Sequence, residues 1–179
     1  LAWEGDNVGL LVGSMDTQVK GIIFAVDVTL GTIDMAIKSD ANLIISHHPV
    51  IFSPLKEITD TTATGKIIYT AIKNDINIIC AHTNLDAAQE GVSQILAEVA
   101  GLKNIYTPES SNLMRVGELK ENTATDEFIN QLKNALAVDS VFISKDYPEH
   151  IKNVAVVSGR GCSLLYEAKQ TGADVLLLG

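Results

Sequence analysis

The chain has 179 residues, of which 46% are hydrophobic and 20% are charged, and its formal net charge is −9. This length and apolar content suffice for one hydrophobic core or for two small lobes. The acidic balance argues against a protein whose main task is to bind nucleic acid phosphates, and an aromatic content of 5% argues against a base-stacking surface.

Residues 1–102 alternate between strand-like and helix-like segments. The predicted elements are a turn and short strand over 1–13, a strand over 20–27, a helix from Thr29 or Thr32 to about Asp40, a strand over 41–46, a helix over 64–74, a strand from Ile76 and a helix over 92–100. Apolar strands separated by helices are typical of a parallel α/β layer. In such a layer, consecutive strands end at the same edge of the sheet, where ligands gather.

Residues 103–111 are polar, and we interpret them as the linker between an N-terminal lobe, residues 1–102, and a second α/β lobe, residues 112–179. The elements predicted for the second lobe are strands over 114–119, 140–144, 153–158 and 173–178 and helices over 126–136 and 163–170. Because the last strand runs to the end of the sequence, we expect the chain to continue and this lobe to be incomplete at its C-terminus.

Neither the apolar runs nor the cysteines indicate a membrane or secreted protein. The apolar runs are far shorter than the roughly 20 residues of a membrane-spanning helix. No basic segment followed by an apolar one begins the chain, so a signal peptide is absent or already removed. Cys80 and Cys162 are few and far apart, which fits a reducing compartment, and we expect a cytoplasmic protein.

Two of the predicted buried strands end in histidine. His47 and His48 follow the strand over 41–46, and His82 ends the strand from Ile76, with Asp86 four residues later. Side chains alternate along extended backbone, so His47 and His48 would each serve a different metal of a pair about 3.5–4 Å apart. Asp86 could bind one ion or bridge two, and His82 could be a further ligand or a proton donor or acceptor. Imidazole with carboxylate suits zinc, iron, manganese or cobalt better than calcium.

Simpler interpretations of these residues stay open. Adjacent histidines also occur in ordinary loops, and Asp86 could cap the N-terminus of the next helix. Three or four ligands are too few for two metals, so a further histidine or carboxylate must come from elsewhere. His150 is a poor candidate, because it lies in a polar loop where a solvated side chain is expected.

Two other segments favour structural roles. Residues 157–164, VSGRGCSL, lack the third glycine of the dinucleotide-binding fingerprint, and no lysine follows as in a P-loop. We interpret them as a tight turn in which Cys162 packs. Asp6 and Asn7 could position substrate or water, but a role in the turn is favoured.

Five segments together carry a family resemblance. In chain order, GDNVGLLVG, SHHPVIF, AHTNLDAA, MRVGEL and VAVVSGRGCSLLYEAKQTGADVLLLG resemble the Nif three-like family, whose members are known as dinuclear metal-centre proteins and as GTP cyclohydrolase 1 type 2 homologues. The resemblance implies an α/β fold of two similar lobes with mostly parallel sheets. It further implies a site for two divalent metal ions between the lobes and assembly into a toroidal homohexamer.

Carried over by position, the resemblance assigns His47, His48 and Asp86 as metal ligands and places His82 in the site, where we assign it to proton transfer. The family completes its site with a histidine and a glutamate near the C-terminus, which we expect beyond Gly179. Two departures from the family pattern are a tryptophan displaced to Trp3 and a span over 119–153 too short for a large inserted domain.

The leading hypothesis is a metal-dependent hydrolase of a small, nucleotide-like substrate, in which metal-activated water attacks and His82 handles a proton. The alternative is a non-enzymatic, ring-forming scaffold with structural or regulatory metals. A membrane partner is not expected, and a nucleic acid partner is disfavoured by the charge of −9.

Overall fold

The computed structural model describes all 179 residues as two compact units, Leu1–Leu85 and Asp86–Gly179, each built around a four-stranded sheet. The predicted α/β class is therefore confirmed. The strands are β1 Gly9–Val12, β2 Ile22–Ala25, β3 Leu43–Ser46, β4 Asn77–Cys80, β5 Lys103–Tyr106, β6 Met114–Ala124, β7 His150–Val157 and β8 Val175–Leu178. The helices are α1 Leu30–Lys38, α2 Ala63–Lys73, α3 Thr83–Asp86, α4 Val92–Val99, α5 Thr125–Leu136 and α6 Leu165–Gln170, with a 3-10 turn at Cys162–Leu164.

In the first unit, the sheet has the strand order β1-β4-β3-β2, with β2, β3 and β4 parallel and β1 antiparallel to β4. Ser46 and Cys80, the last residues of β3 and β4, lie side by side in register. The pairing continues one residue further, since the Ala81 N–H donates to the Ser46 carbonyl at 2.8 Å. The segments that follow β3 and β4 therefore leave the sheet next to each other.

Helices α1 and α2 cover one face of this sheet. Thr29 caps α1, because its hydroxyl accepts from the Thr32 N–H while the Thr32 hydroxyl accepts from the Thr29 N–H. This fixes the predicted helix start at Thr29. The apolar side chains of both helices meet those of the strands in one core cluster, which contains Val12, Val28, Ile33, Ala36, Ala41, Ile44, Ile68, Ala71, Ile76 and Ile78. The core holds the strands, and thereby the strand ends, in fixed positions.

In the second unit, the sheet has the order β5-β6-β7-β8, and β6 runs antiparallel to both of its neighbours. The prediction of mostly parallel sheets thus holds for the first unit and not for the second. The seven residues between β5 and β6 are too few for a parallel crossover, which needs a dozen or more. The segment between α5 and β7 leads the chain back to the start of α5. There the Thr125 N–H donates to the carbonyl of Glu149, the residue before β7, at 3.0 Å. Strand β7 therefore begins where β6 ends.

Two predicted segments differ from the structure. The predicted linker, residues 103–111, contains β5, which pairs with β6. Residues 140–144 form no strand and lie in an irregular segment. The division between the units falls before Asp86 rather than at 103–111, because α4 packs against β5, β6 and β7 and Ala97 lies in the core of the second unit.

None of the helices combines the length and the apolar character that crossing a membrane requires.

Candidate metal centre

Three histidines meet at the carboxyl edge of the first sheet. One ring nitrogen from each of His47, His48 and His82 lies within 4.8 Å of the other two. The ring centroids of His47 are 5.2 Å from those of both His48 and His82, and those of His48 and His82 are 5.8 Å apart. The cluster exists because β3 and β4 are adjacent, parallel and in register.

Hydrogen bonds from three parts of the first unit hold the backbone of His47 and His48. The N–H groups of His47 and His48 donate to the carbonyls of Ala25 and Val26, which extends the pairing with β2 beyond the end of β3. The Ser46 hydroxyl donates to the His48 carbonyl at 2.9 Å, and the Cys80 thiol donates to the His47 carbonyl at 3.2 Å. Both imidazoles therefore project from a fixed backbone.

The Nδ1 atom of every clustered histidine faces an oxygen acceptor. His47 Nδ1 lies 3.0 Å from the Ala81 carbonyl, and His48 Nδ1 lies 2.8 Å from Asp27 Oδ1. His82 Nδ1 lies 2.9 Å from Asp6 Oδ1. A carbonyl or carboxylate oxygen only accepts, so Nδ1 carries the hydrogen in each neutral ring, and Nε2 is the atom that has a lone pair for a ligand.

Asp6 is the more sheltered of the two carboxylates, with 7% of its side chain exposed against 65% for Asp27. Burial on its own raises the pKa of this carboxyl. Hydrogen bonds from the Thr83 hydroxyl, His82 and the Thr83 N–H outweigh that effect and hold the pKa of Asp6 below its ordinary value of 3.8. The carboxylate therefore stays ionised near neutral pH, where it accepts all three hydrogen bonds.

The residues present fit a divalent transition metal. Three imidazoles, each with its Nδ1 against an oxygen, have the arrangement that orients histidine ligands in metal sites. The carboxylates of Asp6 and Asp27 add negative charge beside the cluster, which favours a cation. The donor set is nitrogen-rich and contains no thiolate, so zinc, iron, manganese and cobalt fit it better than calcium.

Comparison with known proteins identifies the family. A family model described as Duf34/NIF3 (NGG1p interacting factor 3) matches residues 1–179. The chain belongs to the Duf34/NIF3 family. This confirms the resemblance that the five sequence segments carry.

Relatives of the chain within the Duf34/NIF3 family extend beyond the part that it matches. A GTP cyclohydrolase 1 type 2 homolog of Clostridium perfringens is 37% identical over 180 residues, which cover 97% of this chain and 69% of the relative. The homolog of Clostridium acetobutylicum is 34% identical over 181 residues, which cover 97% of this chain and 68% of the relative. The crystal structure of a Bacillus cereus protein related to NIF3 matches with a TM-score of 0.86 and 26% identity, over 100% of this chain and 77% of that chain.

Asp86, the predicted aspartate ligand, is buried at the end of α3 and is the first residue of the second unit, whereas the three-histidine cluster lies within the first. The alternative that Asp86 caps the following helix does not hold, because α4 begins at Val92 and its N-cap is Gly91. The role of Asp86 as a metal ligand stays a prediction.

Two carboxylates lie beside the cluster: Asp27, which was not expected from the sequence, and Asp6, for which the sequence favoured a role in the turn. Asp27 lies two residues after the end of β2, as His48 lies two residues after the end of β3, so its position after a parallel strand was the available signal. Asp6 precedes β1, and because β1 is antiparallel to β4, its start lies at the edge where β4 ends. The role of Asp6 is therefore not confined to the turn that the sequence favoured.

Two cysteine and histidine predictions outside the cluster have different outcomes. His150 is exposed, as expected of a solvated side chain, although it is the first residue of β7 rather than part of a loop. Cys162 is exposed at the start of the 3-10 turn, so the expectation that it packs was wrong.

Proposed function

We propose that this chain carries the metal site of a metal-dependent hydrolase that acts on a small, nucleotide-like substrate. The observation that carries the proposal is the cluster of His47, His48 and His82, in which every Nδ1 is bound to an oxygen and every Nε2 is the lone-pair atom. The names of the relatives, GTP cyclohydrolase 1 type 2 homologs, support a purine nucleotide as the first substrate to test.

His47, His48 and Asp86 are the proposed ligands of two divalent ions drawn from zinc, iron, manganese and cobalt. Such ions polarise a substrate oxygen and lower the pKa of bound water. The chain's own contribution is to hold the ligands in place. The backbone hydrogen bonds from His47 and His48 to the carbonyls of Ala25 and Val26 fix the positions from which both imidazoles project. A histidine and a glutamate beyond Gly179 are proposed to complete the ligand set.

His82 is the proposed proton carrier. With its hydrogen at Nδ1 bound to Asp6, its Nε2 is the atom that accepts a proton from the attacking water or returns one to the leaving group. The charge of Asp6 stabilises the imidazolium that forms when Nε2 is protonated. Only about 20% of the His82 side chain is exposed, which limits competition from bulk water for this atom.

The remaining parts of the proposal concern the whole protein. We propose that it works in the cytoplasm, without a membrane partner, as a toroidal homohexamer. The net charge of −9 is consistent with a ring that does not bind nucleic acid. Equilibrium sedimentation tests the assembly, for which a mass six times that of the chain is expected.

The activity test uses the natural full-length protein, loaded in turn with zinc, iron, manganese and cobalt. GTP, other nucleotides and small phosphoesters are incubated with it, and products are identified by chromatography and mass spectrometry. We expect turnover of a nucleotide in at least one metal form. We also expect His47→Ala and His82→Gln to lower kcat by at least about a hundredfold, since each removes a ligand or a proton carrier.

His150→Gln is the matched control, because His150 is exposed and is not part of the cluster. Its kcat should equal that of the wild type. If every metal form leaves the whole panel untouched, the hydrolase proposal fails. If His47→Ala and Asp86→Ala then also break the ring, the scaffold interpretation takes its place.

A further inference from the structure

The Asp6 carboxylate is surrounded by hydrogen-bond donors from the segment that follows β4. His82 Nδ1 lies 2.9 Å from Oδ1 and 3.1 Å from Oδ2. The Thr83 N–H donates to Oδ2 at 3.1 Å, and the Thr83 hydroxyl donates to the same atom at 2.5 Å. Three donors thus converge on one side chain that is itself 7% exposed.

The direction of these hydrogen bonds is fixed by the backbone. The Trp3 N–H donates to Thr83 Oγ1 at 2.8 Å, so the Thr83 hydroxyl accepts there and donates its own hydrogen to Asp6. The Thr83 N–H is a donor only. Both Thr83 contacts therefore require an acceptor at the position of Oδ2.

A glycine turn brings Asp6 to this place. The Asp6 N–H donates to the Trp3 carbonyl at 3.1 Å, which closes a four-residue turn. Gly5, the third residue of that turn, has φ +83°, a conformation that favours glycine in a turn of this type. The next residue, Asn7, donates to the Ile51 carbonyl at 2.6 Å and so ties the turn to the segment after His48.

We propose that Asp6 is the positioning residue of the site, which holds His82 in the tautomer with hydrogen on Nδ1 and makes Nε2 its basic atom. The proposal deepens the proposed function, because it rests on the role of His82 as proton carrier. Its structural part concerns only the ring of His82 and its neighbours, so it can be tested without metal or substrate.

Asp6→Asn is the informative substitution. The Thr83 N–H and hydroxyl require an acceptor, so the amide oxygen takes the place of Oδ2. The amide nitrogen then takes the place of Oδ1, which at 2.9 Å is nearer to His82 Nδ1 than Oδ2 is at 3.1 Å. An N–H group cannot accept from Nδ1–H. We therefore expect the His82 hydrogen to move to Nε2, where it blocks the lone pair that a proton carrier needs.

Nitrogen-15 NMR of the histidine rings in metal-free protein, at a pH where the rings are neutral, detects which nitrogen carries the hydrogen. His82→Gln assigns the signals. We expect hydrogen on Nδ1 of His82 in the wild type and on Nε2 in Asp6→Asn. Asp27→Asn is the matched control: it removes the carboxylate that faces His48, and the His82 pattern should stay that of the wild type.

Wild-type protein with hydrogen on Nε2 of His82, or an Asp6→Asn variant with an unchanged pattern, would overturn the proposal. An amide proton spectrum with native dispersion shows that Asp6→Asn is folded, and Asp6→Glu provides a second variant in which the carboxylate is kept. A return of the Nδ1 pattern in Asp6→Glu supports the proposal.

The kinetic consequence separates this proposal from the function on which it rests. If His82 carries the proton, Asp6→Asn should lower kcat by about 10²–10⁴-fold with a smaller change in KM, as expected when a histidine is held in the wrong tautomer. A reversed tautomer with unchanged kcat would contradict the catalytic role of His82 and leave the positioning by Asp6 intact. An unchanged tautomer would contradict the positioning itself.

Discussion

The three clustered histidines differ in what holds each ring. A backbone carbonyl holds His47, an Asp27 that is 65% exposed holds His48, and an Asp6 that is 7% exposed holds His82. An exposed carboxylate competes with water for its donor, whereas a sheltered one does not. The ring of His82 is therefore the most tightly oriented by a charged partner, and the ring of His48 the least.

Cys80 contacts the backbone of the histidine cluster as a neutral thiol. It is 1% exposed, and its Sγ donates to the His47 carbonyl. Burial raises the pKa of the Cys80 thiol to about 11, from a usual 9.0, and the negative charge of Asp6 adds to the rise. The fold thus favours the protonated thiol.

This pKa shift predicts how stability depends on pH in the metal-free protein. Between pH 9 and 11, an unfolded chain has released the Cys80 proton while the folded chain retains it, so the free energy of unfolding falls as pH rises. The thiol's stabilising contribution to the free energy of unfolding is fully present below pH 9 and is lost by about pH 11. This change amounts to about 2–3 kcal/mol at most. Urea unfolding at several pH values, for the wild type and Cys80→Ala, measures it.

Cys162→Ala is the control for the other thiol, which is exposed. The difference between the wild type and Cys80→Ala should shrink between pH 9 and 11, and the difference between the wild type and Cys162→Ala should stay level. A constant Cys80 difference across this range would contradict the account.

At the scale of elements, Arg115 in β6 joins three parts of the second unit. The residue is 2% exposed, and its guanidinium donates to neutral oxygens. They are Gln94 Oε1 in α4 and the carbonyls of Ala87, Ala88, Asn112 and Met114. Burial lowers the pKa of the guanidinium, because removal from water disfavours its charged form. The arginine thereby fixes the backbone that directly follows Asp86.

Replacement of Arg115 by methionine should destabilise the protein by about 2–4 kcal/mol, because it leaves several buried carbonyls without a donor. Chemical denaturation followed by circular dichroism gives this value. Arg160→Met is the matched control: Arg160, the other arginine of the chain, is exposed, and its loss should change stability by less than about 0.5 kcal/mol. Equal effects of the two substitutions would show that the Arg115 contacts do not stabilise the unit.

Sequence patterns predicted the elements of the first unit well because each one carried its own local signal. Thr29 marked a helix start, and the apolar runs ending at Ser46 and His82 marked buried strands. The strand β5 was missed because Lys103 and Asn104 are exposed and polar, and pairing with β6 rather than composition makes this segment a strand. The predicted strand over 140–144 did not form, since an apolar run alone supplies no partner strand.

The sequence predicted those residues of the site that directly follow an apolar strand. His47, His48 and His82 could be placed at one edge from the sequence alone, but their convergence depends on β3 and β4 being neighbours. Asp6 and Asp27 act through contacts over 76 and 21 residues of sequence, which no local pattern reports. Long-range hydrogen bonds of this kind become visible only in the folded chain.

At the scale of the whole molecule, membership of the Duf34/NIF3 family agrees with the α/β architecture of both units. The net charge of −9 keeps the surface acidic, and a cation is the ligand that an acidic protein with a histidine cluster attracts. Metal binding through the paired histidines is thus the central claim on which the proposed hydrolase, its ligands and its proton carrier depend.

Titration of the metal-free, natural full-length protein with Co²⁺ at neutral pH, followed by visible absorption, tests that claim most directly. We expect a saturable absorption band for the wild type and for His150→Ala, which removes the one histidine of residues 1–179 that lies outside the cluster. In His47→Ala and in His48→Ala, the midpoint should shift by at least about tenfold, or the band should disappear, since each loses a ligand. The same titration curve for all four proteins, or no saturable band in the wild type, would contradict the account.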